Sequence, residues 1–171
     1  MPQLVIPNTE FLASFLDSNA EWKGAHQDGA GLEGDEDLTT AAGFEAFVAQ
    51  LLSQETEPLK RGYVTCSYRW IVEDGHYLGS IGLRHELNGY LEEFGGHIGY
   101  GVRPSARRRG LATWALEHIL ELAWDQGHDR VLLTCDDENL ASARTIEGNG
   151  GVLEDKREHG GSVTRRYWIQ L

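Results

Sequence analysis

Residues Arg107-Arg108-Arg109-Gly110-Leu111-Ala112 set three guanidinium groups where a helix is about to begin. A helix N-terminus carries partial positive charge and unpaired backbone N–H groups, so each exposed cation there is disfavoured by roughly 0.3–1 kcal/mol. An anion resolves the conflict. Gly110 and Ala112 remove bulk at the same turn, so phosphate oxygens can approach the backbone donors, those of Leu111 and Thr113 included, while the arginines neutralise their charge. The segment reads as a pyrophosphate cradle.

The elements that must position this cradle can be read on either side of it. Pro104 fixes the backbone, Ser105 is the expected cap, and Leu111, Ala115, Leu116, Ile119, Leu122 and Ala123 recur at helical spacing up to a stop at Gly127. Thr113, Glu117, Glu121 and Asp125 form the opposite, solvated stripe. Upstream, residues 96–102 are strand-like but carry Gly96, Gly99 and Gly101, which implies a bulge or a close approach by another backbone or by an extended ligand arm.

Strand, Val102-Arg103-Pro104, then Arg107-x-x-Gly110-x-Ala112 resembles the coenzyme A signature of the GNAT N-acetyltransferases. The resemblance continues through a strand at residues 130–135, an Asn139-Leu140-Ala141-Ser142-Ala143 helix entry and a Gly150-Gly151 exit, covering about residues 60–171. It implies an α/β fold, a splayed mixed sheet flanked by helices, and transfer of acetyl from acetyl-CoA to an amine by direct attack, with no metal. It also implies that the Tyr100 backbone N–H polarises the thioester carbonyl, that Val102 pairs with the pantetheine arm, and that Asn139 and Ser142 bind the same arm or the acceptor.

Two departures from the family stand out. The glutamate that many members carry on this strand would fall at Gly96. His97 is adjacent and has the more suitable unperturbed pKa, near ~6.5, so it is the first choice for general base, with Glu93 and His85 as alternatives. The tyrosine that often protonates the departing thiolate is replaced by Ile146, which leaves Ser142, a water or no acid.

Composition bounds the remaining readings. A chain of 171 residues suits one domain spanning 1–171, and the isolated Cys66 and Cys135, in apolar strand-like runs, suit a reducing cytoplasm without disulfide or zinc. No apolar run approaches membrane-spanning length. A net charge of −12 argues against nucleic acid as partner, and the glycines at 96, 99 and 101 precede the turn and have the wrong spacing for a dinucleotide fingerprint. Much of the acidity sits in a Gly-rich segment holding Asp28, Glu33, Asp35, Glu36 and Asp37; it reads as a mobile, solvated loop or as the border of an acceptor site that draws cationic amines. The expected partner is a cationic small-molecule or peptide amine, bound by a monomer or homodimer. A non-catalytic acyl-CoA sensor is the alternative.

Coarser expectations complete the chain: a strand at 4–6, helices over 9–21 and 42–54, a hairpin of 63–72 and 76–84 turned at Glu73-Asp74-Gly75, a connection over 87–94, and a last strand at 162–171.

Overall fold

Alternation and helical periodicity each find their partners in the computed structural model, which describes residues 1–171. The strands are β1 (Gln3–Val5), β2 (Cys66–Glu73), β3 (His76–Arg84), β4 (Ile98–Val102), β5 (Arg130–Asp136), β6 (Val152–His159) and β7 (Ser162–Gln170). The helices are α1 (Leu12–Glu21), α2 (Ala41–Ser53), α3 (Leu111–Asp125) and α4 (Leu140–Gly148). Asn8 caps a short 3-10 turn at Thr9–Phe11 that leads into α1, and Thr40 caps α2. The β2–β3 hairpin turns at Asp74 and Gly75, both at positive φ (51° and 77°), as a two-residue type I′ turn requires.

The splayed sheet is present as two antiparallel sheets, ordered β1-β2-β3-β4 and β5-β7-β6. A single main-chain hydrogen bond joins their facing edges, from His97 N–H to Leu132 C=O at 2.7 Å. Beyond it β4 and β5 diverge. The larger core lies between α3, α4 and one face of both sheets, and includes Ile81, Leu83, Ile98, Val102, Leu116, Ile119, Val131 and Ile146. A second, aromatic core of Phe15, Phe44, Phe47, Trp70 and Tyr77 holds α1 and α2 against the other face of the first sheet. No helix is long and apolar enough to cross a membrane.

Three local expectations are corrected. Ser105 does not cap α3; it sits in the turn Pro104–Ala106 and binds Glu21, while Gly110 (φ 78°) occupies the N-cap without a side-chain bond. The β3–β4 ladder runs without a bulge from Leu83↔Ile98 to Gly79↔Val102. Its glycines answer instead to a close backbone approach, because a Cβ on Gly99 would lie 3.2 Å from the Gly29 nitrogen and one on Gly101 3.0 Å from the Asp28 carbonyl oxygen. The start of the acidic Gly-rich segment, residues 28–30, is accordingly packed along β4 with Ala30 buried, while Asp35 and Asp37 are solvent-exposed as expected.

Candidate active site

A cleft of about 1170 Å³ opens where β4 and β5 part. At one end it is bounded by the turn into α3. Arg107 stacks over the Trp22 ring at 4.8 Å, and its Nε donates to the Val102 carbonyl at 3.0 Å. Arg108 holds a left-handed backbone, φ 62°, that few non-glycine residues adopt. The first bond of α3 is from Trp114 N–H to Gly110 C=O, so the backbone N–H groups of Arg108, Arg109, Gly110, Leu111, Ala112 and Thr113 have no acceptor in the protein. Six consecutive donors, with the Arg107 and Arg108 guanidiniums at the cleft wall and no carboxylate partner on either, form an arrangement suited to an anion.

Arg109 is not part of that wall. It turns away to an ion pair with Glu73 at the end of β2. Arg103 and Ser105 both bind Glu21, at the end of α1, and the Arg103 guanidinium holds the Glu21 carboxyl down at about 2. This network clamps α1 to the arginine turn.

Along the cleft, the ladder bonds fix which backbone groups are free. Arg84 N–H donates to His97 C=O and Arg103 N–H to Leu78 C=O, so in the alternating antiparallel pattern residues 98, 100 and 102 direct their N–H groups at the open edge. The Tyr100 side chain reaches α4, where its hydroxyl lies 2.8 Å from Ser142 Oγ; burial pushes the phenol up to about 12. Asn139 caps α4 by accepting from Ser142 N–H at 3.1 Å, and Asn139, Ser142, Thr134 and Cys135 line the wall opposite β4.

The three candidate bases do not reach this cleft. His97 is buried at the apex, where its Nδ1 accepts from Leu132 N–H at 2.9 Å while its own N–H bonds Leu132 C=O. Burial, with the neighbouring His128 and Arg84 adding to it, pushes its imidazole down to about 4. It pins the two sheets together. Gly96 beside it has φ 65°, and a Cβ there would meet the Leu132 carbonyl oxygen at 2.6 Å, so no carboxylate side chain fits that position. His85 bonds Ser67 at 2.8 Å and borders a separate shallow depression with Gln126 and His128. Glu93 is partly exposed, paired with Arg157 and shifted further into its ionised form by that partner.

The structure adds residues that the sequence reading did not single out. His26 is the histidine that lines the cleft, its Nε2 3.1 Å from an Asp28 carboxylate oxygen. Tyr63, Tyr68, Tyr90, Phe94 and Arg84 line the same cleft, together with Asp28 and Glu33 of the acidic segment that the sequence offers as an acceptor-site border. The signal for His26 was faint: one histidine two residues from an acid, inside a segment that glycines fold back onto β4. Arg84 gave none, because its environment comes from residues distant in sequence. No cluster of three or more His, Cys, Asp or Glu side chains forms a metal site.

The sequence pattern of the acetyltransferase (GNAT) domain matches residues 25–152. The chain belongs to this family. It is therefore an acetyl-CoA-dependent N-acetyltransferase by descent, as its signature turn implied. Solved structures agree on the fold. The microcin C7 self-immunity acetyltransferase MccE, solved with acetyl-CoA and AMP, is 15% identical with a TM-score of 0.70, covering 99% of this chain and 92% of its own. The Salmonella typhimurium acetyltransferase that modifies the N-terminal serine of ribosomal protein L7/L12 is 15% identical (TM-score 0.67, 99% and 95% covered). A GNAT acetyltransferase from Streptococcus pneumoniae is 16% identical (TM-score 0.66, 100% of each chain covered). No curated protein matches the sequence.

Proposed function

We propose that this enzyme acetylates a primary amine by direct attack on acetyl-CoA bound along the open edge of β4. The observation that carries the proposal is the run of six unpartnered N–H groups at the start of α3, opening into a cleft continuous with the free edge of β4. Arg107, Arg108 and the backbone from Arg108 to Thr113 hold the pyrophosphate; Arg109 is assigned to Glu73 instead. Val102 N–H, with Asn139 opposite, pairs with the pantetheine arm. Bound acetyl-CoA supplies a thioester, an acyl group activated toward amines.

Tyr100 N–H polarises the thioester carbonyl as charge develops on its oxygen. His26, oriented by Asp28, takes the proton from the acceptor ammonium, directly or through water. The Tyr100 hydroxyl, neutral at physiological pH and held by Ser142, stands where Ile146 offers nothing and donates to the departing thiolate. The acceptor is a small-molecule amine or a peptide amino group, the latter being the type modified by the Salmonella relative. We assign the reaction to the cytoplasm, a setting that suits the unpaired thiols of Cys66 and Cys135.

The test is thiol release from acetyl-CoA across a panel of primary amines, alongside thermal shifts with acetyl-CoA and coenzyme A. Both ligands should raise the melting temperature. Stabilisation without thiol release from any amine would favour an acyl-CoA-binding module, and absence of both would remove the proposal.

A further inference from the structure

Three arginines line the cleft, Arg84, Arg107 and Arg108, and none has a carboxylate partner. Of the nine arginines outside the cleft, Arg69, Arg103, Arg109, Arg157, Arg165 and Arg166 form ion pairs, and Arg61, Arg130 and Arg144 do not. With 27 acidic against 15 basic side chains, a guanidinium left unpaired inside a cleft is informative. Arg107 and Arg108 belong to the phosphate end. Arg84 does not, because it sits level with His97, five residues along β4 from Val102, or about 16 Å at the usual rise of a strand.

Its surroundings hold it ready for an anion. Nη1 donates to the carbonyls of Gly95 at 3.1 Å and Gly96 at 3.0 Å, which fixes the plane of the guanidinium, while Nη2 and Nε have no partner. Nη2 lies over Gly99, 3.8 Å from where a Cβ would project. Gly82 is the cross-strand neighbour of Gly99, and these two positions without side chains let the Tyr68 ring and the Gly29 backbone pack against the sheet beside Arg84. The nearby acids are already engaged: Glu33 with Lys60 at 2.5 Å and the Tyr63 hydroxyl at 3.1 Å, Asp28 with His26 at 3.1 Å. Tyr63, Tyr68 and Phe94 wall the same end.

We propose that Arg84 reads a carboxylate on the acceptor, so that the substrate class is an amine that also bears a carboxylate, either a free amino acid or a peptide terminus followed by an acidic residue. The free side of the guanidinium binds the carboxylate, and the aromatic walls hold the acceptor's body. This replaces the expectation of a purely cationic acceptor. It rests on the acetyltransferase reading and assigns the end of the cleft which that reading leaves open.

The experiment measures thiol release from acetyl-CoA with matched pairs: phenylalanine against phenylalaninamide, and an aspartate-containing tripeptide amide against its asparagine counterpart. In the wild type the carboxylate member of one pair should be preferred at least ~10-fold in kcat/KM. Preference in the first pair points to free amino acids and in the second to peptides. Arg84→Gln should raise KM for the preferred member ~10–100-fold, leaving KM for its neutral partner and coenzyme A affinity unchanged; Arg84→Lys should restore part of the preference. If Arg84 merely caps the Gly95 and Gly96 carbonyls, Arg84→Gln will change both members equally while lowering the melting temperature, and the proposal falls. It falls equally if no carboxylate-bearing amine is preferred. Failure of the underlying reading looks different: coenzyme A would not bind the wild type at all.

Discussion

The two ends of the cleft present polar groups by different means. At the α3 end the donors are main-chain N–H groups from six consecutive residues, so the site is written in one short stretch of sequence and depends on backbone shape more than on any one side chain. At the other end the polar groups come from β3, the segment around residues 26–33, and the turn Leu91–Gly95, brought together by glycine-mediated close packing. A backbone site is legible locally and survives truncation of any one side chain, but not an added carboxylate among its N–H groups. A site assembled from side chains has neither property.

That contrast predicts unequal responses to mutation. The largest belongs to Gly110→Asp, which sets a carboxylate beside the free N–H groups on a residue with positive φ; calorimetry should detect no coenzyme A binding while circular dichroism remains native. Wild-type affinity in that variant would move the phosphates elsewhere. Next is His26→Ala, expected to lower turnover ~10²–10⁴-fold with coenzyme A affinity unchanged. His97→Ala should act on stability instead, by leaving the Leu132 N–H unpaired in the core at a cost of about 1–3 kcal/mol, and a kinetic defect without a lower melting temperature would return His97 to the chemistry.

The arginine triplet sharpens the comparison further. Arg108→Ala should weaken coenzyme A binding about 10-fold, whereas Arg109→Ala should change it less than about 2-fold, because Arg109 serves only an exposed pair with Glu73. Equal effects would show that Arg109 swings into the cleft.

A separate effect is on pH. His97 has a folded-state value of about 4 against ~6.5 when unfolded, so between those values the unfolded chain binds more protons. The stability that rests on neutral His97 is complete above pH 6.5 and declines as pH falls toward 4. Chemical denaturation across that window should show the decline, reduced in His97→Ala.

Much of the fold was legible because its elements carry local signals: the apolar stripe of α3, the Asp-Gly turn of the hairpin, the Asn139 cap of α4. The donor-rich turn proposed for phosphate was legible for the same reason, since Arg107, Arg108 and Gly110 are neighbours in the chain. Arg109 shows where that logic stops, because residue type cannot tell which arginine an acid 36 positions away will claim. The misplaced bases have a similar cause. His97 lies beside the family's glutamate position in sequence, yet the left-handed Gly96 turns the chain there into the seam between the sheets, where a titratable ring becomes a buried acceptor. His26 enters the cleft only because Gly29 and Gly99 let two backbones nearly touch.

The central claim is that the α3 turn binds pyrophosphate while β4 binds the arm beyond it. Calorimetric titration of the wild type with coenzyme A and, separately, with pantetheine, which lacks the phosphates, tests this most directly. The account predicts that coenzyme A binds at least ~100-fold more tightly than pantetheine and that added salt narrows the gap. Equal affinities for the two, insensitive to salt, would contradict it.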